Sequence, residues 1–181
     1  MFLAELIRMD GRGCWPSETC VDCGGECAIY GCKDCHGREM TCSECTVKRH
    51  ASTYLHRISK WNGSFFERIS LKDLGLRIQL GHPPGEKCLH SETCADDDFC
   101  IIDVNGVHNV AVDFCGCGRS NQQHTVQLLR ARLFPATVVA PKTAATFGCL
   151  ETFELLSYES KCTAFEYYRT LTRLTDNTGL V

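Results

Sequence analysis

Apolar residues are sparse over the first 60 positions and become periodic only later. From Phe2 to Met9, Leu3, Leu6 and Ile7 fall at helical spacing, which predicts a short amphipathic helix. The stretch FCIIDVNGVHNVAVDFC, residues 99–115, sets two β-branched runs about Asn105-Gly106. Such a pair supplies the positive φ angles of a two-residue type I′ turn, so a tight hairpin is expected. In that register Val104 opposes Val107 and Asp103 opposes His108. Residues 74–81, LGLRIQLG, alternate as a third strand does. Pro141 marks the start of a helix, in which Phe147, Leu150, Phe153 and Leu156 share one face. Phe165, Tyr168, Leu171 and Leu174 repeat that spacing until Asp176-Asn177-Thr178-Gly179 breaks it. Both stripes are expected to pack in a core.

These patterns divide the chain into residues 1–60, poor in aliphatics and rich in cysteine; 61–118, read as strands; and 119–181, read as helical, with 61–181 forming one unit. The fold class expected is a small, zinc-stabilised α+β protein. Its first third cannot build a core by apolar burial, and something must staple it.

Composition narrows the choice of staple. Fifteen cysteines in 181 residues is an odd count, so a closed disulfide framework leaves a thiol over. The N-terminus has too short an apolar run for a signal peptide, and no run reaches transmembrane length. A reducing, intracellular compartment is the expectation, and there cysteine clusters bind metal more often than they form bridges. Net charge is −3, which argues against a general polycation. The charge is uneven, however: Lys48, Arg49, Arg57, Lys60, Arg68 and Lys72 fall in one stretch, and Asp96-Asp97-Asp98 form a short acidic run.

The first cluster reads C-x2-C-x8-C-x2-C-x6-C-x2-C-x4-H-x5-H, from Cys20 to His56. A two-residue spacer lets both sulfurs of a pair reach one tetrahedral ion from a tight turn. Eight donors suffice for two closed sites, and thiolates suit zinc. Interleaving of the ZZ-like, cross-braced kind assigns Cys20, Cys23, Cys42 and Cys45 to site 1 and Cys32, Cys35, His50 and His56 to site 2. Closed donor sets argue against catalytic zinc. Cys14 and Cys27 are read as free thiols and His36 as a surface residue, with replacement of His50 or His56 by His36 as the alternative.

A second cluster follows. Along an extended Val107–Cys117, Cys115 and Cys117 point one way and His108 the other. His82 and Cys88 are therefore the better partners, and with Cys115 and Cys117 they make site 3, a Cys3His set. His108 is expected to pair with Asp103, and Cys94 and Cys100 to be free thiols in an acidic, loop-like insert.

Several longer motifs run in a recognisable order: FLAELIRMDGRG, YGCKDC, LHRISKWNGSFFERISLKDLGLRIQLGH, IIDVNGVHNVAVDFCGC, QLLRARLFPAT and LTRLTDNTG. Through them the chain closely resembles, from Phe2 to Gly179, the CxC-type cysteine-cluster domain found beside fungal KDZ transposases. The resemblance implies zinc at the twelve residues of sites 1 to 3: two ions in the first cluster, with a third in the second. It also implies contact with DNA or chromatin, other transposase segments as further partners, and a nuclear location. No catalytic residues, small-molecule substrate or membrane contact are expected. The chain stops before any transposase catalytic region, so no catalysis is expected of it.

Within that frame the expected DNA contacts are Lys48, Arg49, Arg57 and Lys60, fixed beside the ligands His50 and His56. Trp61, Phe65 and Phe66 are read as core rather than stacking platforms. The alternative is a ZZ-like protein-interaction module that reads a basic peptide or histone tail through Asp96–Asp98 or through Glu39 and Glu44.

Overall fold

The computed structural model describes residues 1–13, 15, 17–37, 39–94, 97–117 and 123–177. Cys14, Asp96 and the Thr178-Gly179 end of the breaking signal lie outside the described residues. The chain forms two compact units, residues 1–76 and 77–181. Among the described residues no helix is long and apolar enough to cross a membrane.

In the first unit α1 (Phe2–Asp10) forms where the spacing places it, yet none of its residues is buried. A three-stranded antiparallel sheet follows, in the order β1 (Tyr30–Cys32), β2 (Ile58–Trp61), β3 (Phe66–Ile69). Between β1 and β2 lies α2 (Ser43–Arg49). Two small apolar groups serve this unit. Cys32, Ile58, Leu71 and Leu76 make one, and Cys20, Ala28 and Met40 make the other. Trp61 and Phe66 pack edge to face against the second, with ring centroids 5.0 Å apart, whereas Phe65 stands exposed. Because β2 and β3 pair onto β1, residues 61–69 belong with the cysteine-rich segment and not with the hairpin downstream.

The second unit is built on β7 (Gly106–Cys115), a ten-residue strand. It pairs in parallel with β4 (Arg77–Gln79), and antiparallel with β5 (Ser91–Thr93) and β6 (Phe99–Asp103). The sheet continues from β6 to β9 (Thr143–Thr146) and β8 (Leu133–Pro135), in the order β4-β7-β6-β9-β8. Residues 119–181 are therefore not purely helical: α3 (His124–Arg130) precedes two sheet strands, and Pro141 precedes β9 rather than a helix. Phe99, Ile101, Val112, Phe114, Leu128, Leu133 and Ala144 fill the core.

The hairpin differs from expectation by one residue. Asp103 pairs with Gly106, Ile102 with Val107 and Ile101 with His108, so Val104-Asn105 is the tip. Gly106, at φ 143°, instead begins the return strand, and a Cβ there would lie 2.6 Å from Thr175 Oγ1. The slip removes the Asp103–His108 pair. His108 Nε2 sits 2.7 Å from Asn105 Oδ1, and Asp103 Oδ1 accepts from Thr146 Oγ1 at 2.6 Å.

The terminal helices, α4 (Phe147–Ser160) and α5 (Ala164–Thr175), start on Thr146 and Thr163, whose side chains accept from the N–H groups of Cys149 and Glu166. Thr163 and Glu166 complete a capping box. The apolar stripes are core only in part, with Phe147, Leu150 and Phe153 half-buried. Cys149 is the buried residue of α4 and Leu171 that of α5, while Phe165, Tyr168 and Leu174 are exposed. Helical periodicity sets which residues share a face; it does not supply a neighbour to cover that face.

Candidate metal centres

Three groups of donors converge: Cys20, Cys23, Cys42 and Cys45; Cys32, Cys35, His50 and His56; and His82, Cys88, Cys115 and Cys117. Within each, all four donor atoms lie within 4.8 Å of one another.

Helix α2 joins the first two groups. Cys42 is its N-cap, Cys45 lies in its first turn and His50 caps its C-terminus. Cys20 and Cys23 come from a tight loop in which Gly24 N–H returns to the Cys20 carbonyl at 2.8 Å. Cys32 ends β1, Cys35 follows it, and His56 leads into β2. Cys23 Sγ lies 3.8 Å from Cys42 Sγ. His56 Nδ1 lies 3.5 Å from Cys32 Sγ and 3.3 Å from Cys35 Sγ. His50 Nδ1 sits 2.7 Å from the Thr46 carbonyl, where it donates, and Nε2 then faces Cys35 Sγ at 3.4 Å with its lone pair available.

Both knuckles read Cys-x-Asp-Cys, and each aspartate is clamped by an arginine. Arg49 pairs with Asp22, and also with Glu39 at 2.8 Å; Arg57 pairs with Asp34 at 2.6 Å. Arg49 adjoins His50 and Arg57 adjoins His56, so each clamp ties a knuckle to the segment carrying a histidine donor. Two of the four expected DNA contacts are thus engaged within the fold. Lys48 is exposed and Lys60 half-buried. Of the residues suggested for a peptide pocket, Asp97 is paired with Arg77, while Glu44 and Asp98 are exposed.

In the third group Cys88 Sγ lies 3.6 Å from Cys115 Sγ and 3.2 Å from Cys117 Sγ, and His82 Nε2 lies 3.3 Å from Cys115 Sγ. His108 is on the other face of β7, as side-chain alternation requires. Two glutamines that the spacing of cysteines could not reveal set this group in place. Gln127 Oε1 accepts from Cys115 N–H at 2.8 Å, and its Nε2 donates to the Cys115 carbonyl at 3.0 Å. Gln79 Oε1 accepts from Cys88 N–H at 3.2 Å. They lie nine and twelve residues from the cysteines they hold, outside the cysteine motifs themselves. Gly81, at φ 77°, lets the chain pass Cys115, where a Cβ would come to 2.7 Å. Cys94 follows the end of β5, outside any strand and buried beside the Pro141 carbonyl, whereas Cys100 lies in β6 and not in a loop. Cys27 and His36 are exposed and stand outside all three groups.

The donor sets fit a divalent ion. Sulfurs at about 2.3 Å from a tetrahedral centre are roughly 3.8 Å apart; the separations here, 3.2 to 3.8 Å, are of that order and well beyond a disulfide bond. The thiols in these groups differ in how readily they ionise. Burial, with the neighbouring Cys35, pushes the Cys32 thiol up to about 12. Hydrogen bonds from Cys88 and Cys115 push Cys117 up to about 11. Burial opposes ionisation of Cys20 too, but backbone N–H groups of Cys23, Cys42 and Asp22 outweigh it and bring that thiol down to about 6. Crowded thiols resist joint ionisation, and a dication at the centre reverses that preference.

No curated protein and no solved structure matches the chain. The family model described as a CxC2 like cysteine cluster associated with KDZ transposases matches residues 71–179. The match takes in the third donor group and every element from β4 to α5, and it begins after the first two groups, so it is narrower than the likeness read from Phe2. Spanning more than half of the chain, it places this protein in the family of CxC2 like cysteine clusters associated with KDZ transposases.

Proposed function

We propose that the chain is a non-catalytic, zinc-stabilised docking module of a KDZ transposase-related protein, ZZ-like in its cross-bracing, that acts on DNA or chromatin in the nucleus. The supporting observation is the make-up of the donor groups. Each offers four cysteine or histidine atoms, which fill zinc's tetrahedral shell and leave no position for an activated water. Bound zinc supplies folding free energy on the order of 10–16 kcal/mol per structural site, which the sparse apolar groups of the first unit do not provide. Lys48 and Lys60 are the residues offered to phosphate, and the arginine clamps stiffen the surface that carries them.

Native mass spectrometry before and after chelation tests the metal part. Three zinc ions per chain, with loss of the thermal transition on chelation, are expected; a chain that keeps its transition without metal refutes it.

Charge supports a second reading, a module that binds a basic peptide such as a histone tail. Nine thiolates against three dications lower the formal net charge by three further units from −3, which disfavours phosphate and favours cationic partners. A salt titration separates the two. DNA affinity that falls steeply with salt supports the first reading, and peptide affinity without DNA affinity supports the second.

A further inference from the structure

A cavity of about 360 Å³ opens in the first unit beside α1 and β1, touching the donor groups at Cys32 alone. That volume is in the range of small-ligand sites. Trp15, Phe65 and Phe66 give it aromatic walls, and Arg12 and Lys33 give it two cations. Gly31 lies in the lining, where a Cβ would press on Met40 Sδ at 3.2 Å.

Arg12 is held rigidly at the cavity wall. Its Nη2 donates to the carbonyls of Ser17, at 2.6 Å, and Ala28, at 3.2 Å, which fixes the guanidinium. Its Nε is buried, with no acceptor among the described residues. A buried donor on a charged group left without an acceptor is destabilising, and native structures rarely keep one without a reason. Among the described residues no carboxylate pairs with the Arg12 guanidinium, so its charge at the cavity wall favours an anionic ligand. The exposed ring of Phe65 supplies the complementary preference, for a flat π system. Asp10, also in the lining, is an acceptor suited to an exocyclic amine.

We propose that this cavity binds a nucleotide, with the base against Trp15, Phe65 and Phe66 and the phosphate at Arg12 and Lys33. Two cations against one carboxylate disfavour the competing occupant of an aromatic pocket, a methylated ammonium. The proposal is independent of the zinc and chromatin readings.

Isothermal titration of the zinc-loaded full chain with dAMP tests it. Expected are saturable binding, much weaker binding of deoxyribose 5-phosphate, and a loss of about tenfold for Phe65→Ala. Lys33→Gln should also weaken dAMP. Both side chains are exposed, so both variants should fold, and native mass spectrometry of each checks that zinc is retained. A short oligodeoxyadenylate that binds more tightly than dAMP identifies a strand as the source; equal affinity identifies the free nucleotide. Inorganic phosphate binding as well as dAMP, dAMP binding unchanged by Phe65→Ala, or binding of a trimethyllysine peptide in place of dAMP overturns the proposal. Failure with zinc in place leaves the metal reading standing.

Discussion

The guanidinium of Arg57 grips the carboxylate of Asp34 through Nη2 at 2.6 Å and Nε at 3.1 Å, and the Arg57 backbone N–H adds a third bond, to Oδ2 at 2.6 Å. The pair joins the Cys32–Cys35 knuckle to the segment that carries His56.

Arg57→Gln should therefore act on the fold of the first unit before it acts on any nucleic acid. A loss of about 1–2 kcal/mol in chemical denaturation is expected, kept modest by partial exposure. Burial resists ionisation of Asp34, but the bonds and charge of Arg57 outweigh it and hold the carboxyl below its usual range. A depressed carboxylate stabilises the fold at pH values above its unfolded pKa, and that contribution disappears as pH falls through the folded pKa. The difference between wild type and Arg57→Gln should thus be full at neutral pH and shrink below about pH 4.

Gln127 holds both backbone groups of Cys115 without touching an ion. Gln127→Leu, close in volume, should weaken zinc binding in the third group by about 10–100-fold in a chelator competition, leaving two ions firmly bound. Equal weakening at all three groups would contradict the separate placement of this site.

Leu171 is the buried residue of α5, and its stripe-mates Phe165 and Tyr168 are exposed. Leu171→Ala should cost about 2–5 kcal/mol, and Phe165→Ala about 0.5 kcal/mol or less. Comparable costs would mean that the stripe is covered after all.

Gly106→Ala places a methyl 2.6 Å from Thr175 Oγ1 in a backbone conformation that side chains rarely adopt. A loss of at least about 1 kcal/mol is expected in thermal or urea melts. The double variant with Thr175→Ala should recover part of it, because only the steric share is relieved.

Much of the candidate chemistry was legible because ligand spacing is local. A two-residue spacer encodes a knuckle directly, and strand alternation was enough to separate His108 from Cys115. What spacing could not reveal was the non-local support: Gln79, Gln127 and the two aspartate–arginine clamps owe their roles to contacts across loops. Counting charge along the chain likewise did not show that Arg49 and Arg57 have carboxylate partners within the fold. The hairpin was legible as a hairpin, yet its register differs by one residue at the tip, where Gly106 lies close against Thr175, a contact the turn pair alone does not contain. The apolar stripes of α4 and α5 carried the right period, but burial depends on a covering element that periodicity does not name.

Cross-bracing of the first two donor groups has a mechanical result. A single cut at Gly37 falls between Cys35 and Cys42, so each fragment would keep two donors to both ions. The severed halves stay tethered until metal is withdrawn, and release of either ion loosens the loop that presents the other. A metal-loaded first unit should therefore release its ions in one step and resist nicking as a linear chain of its length would not.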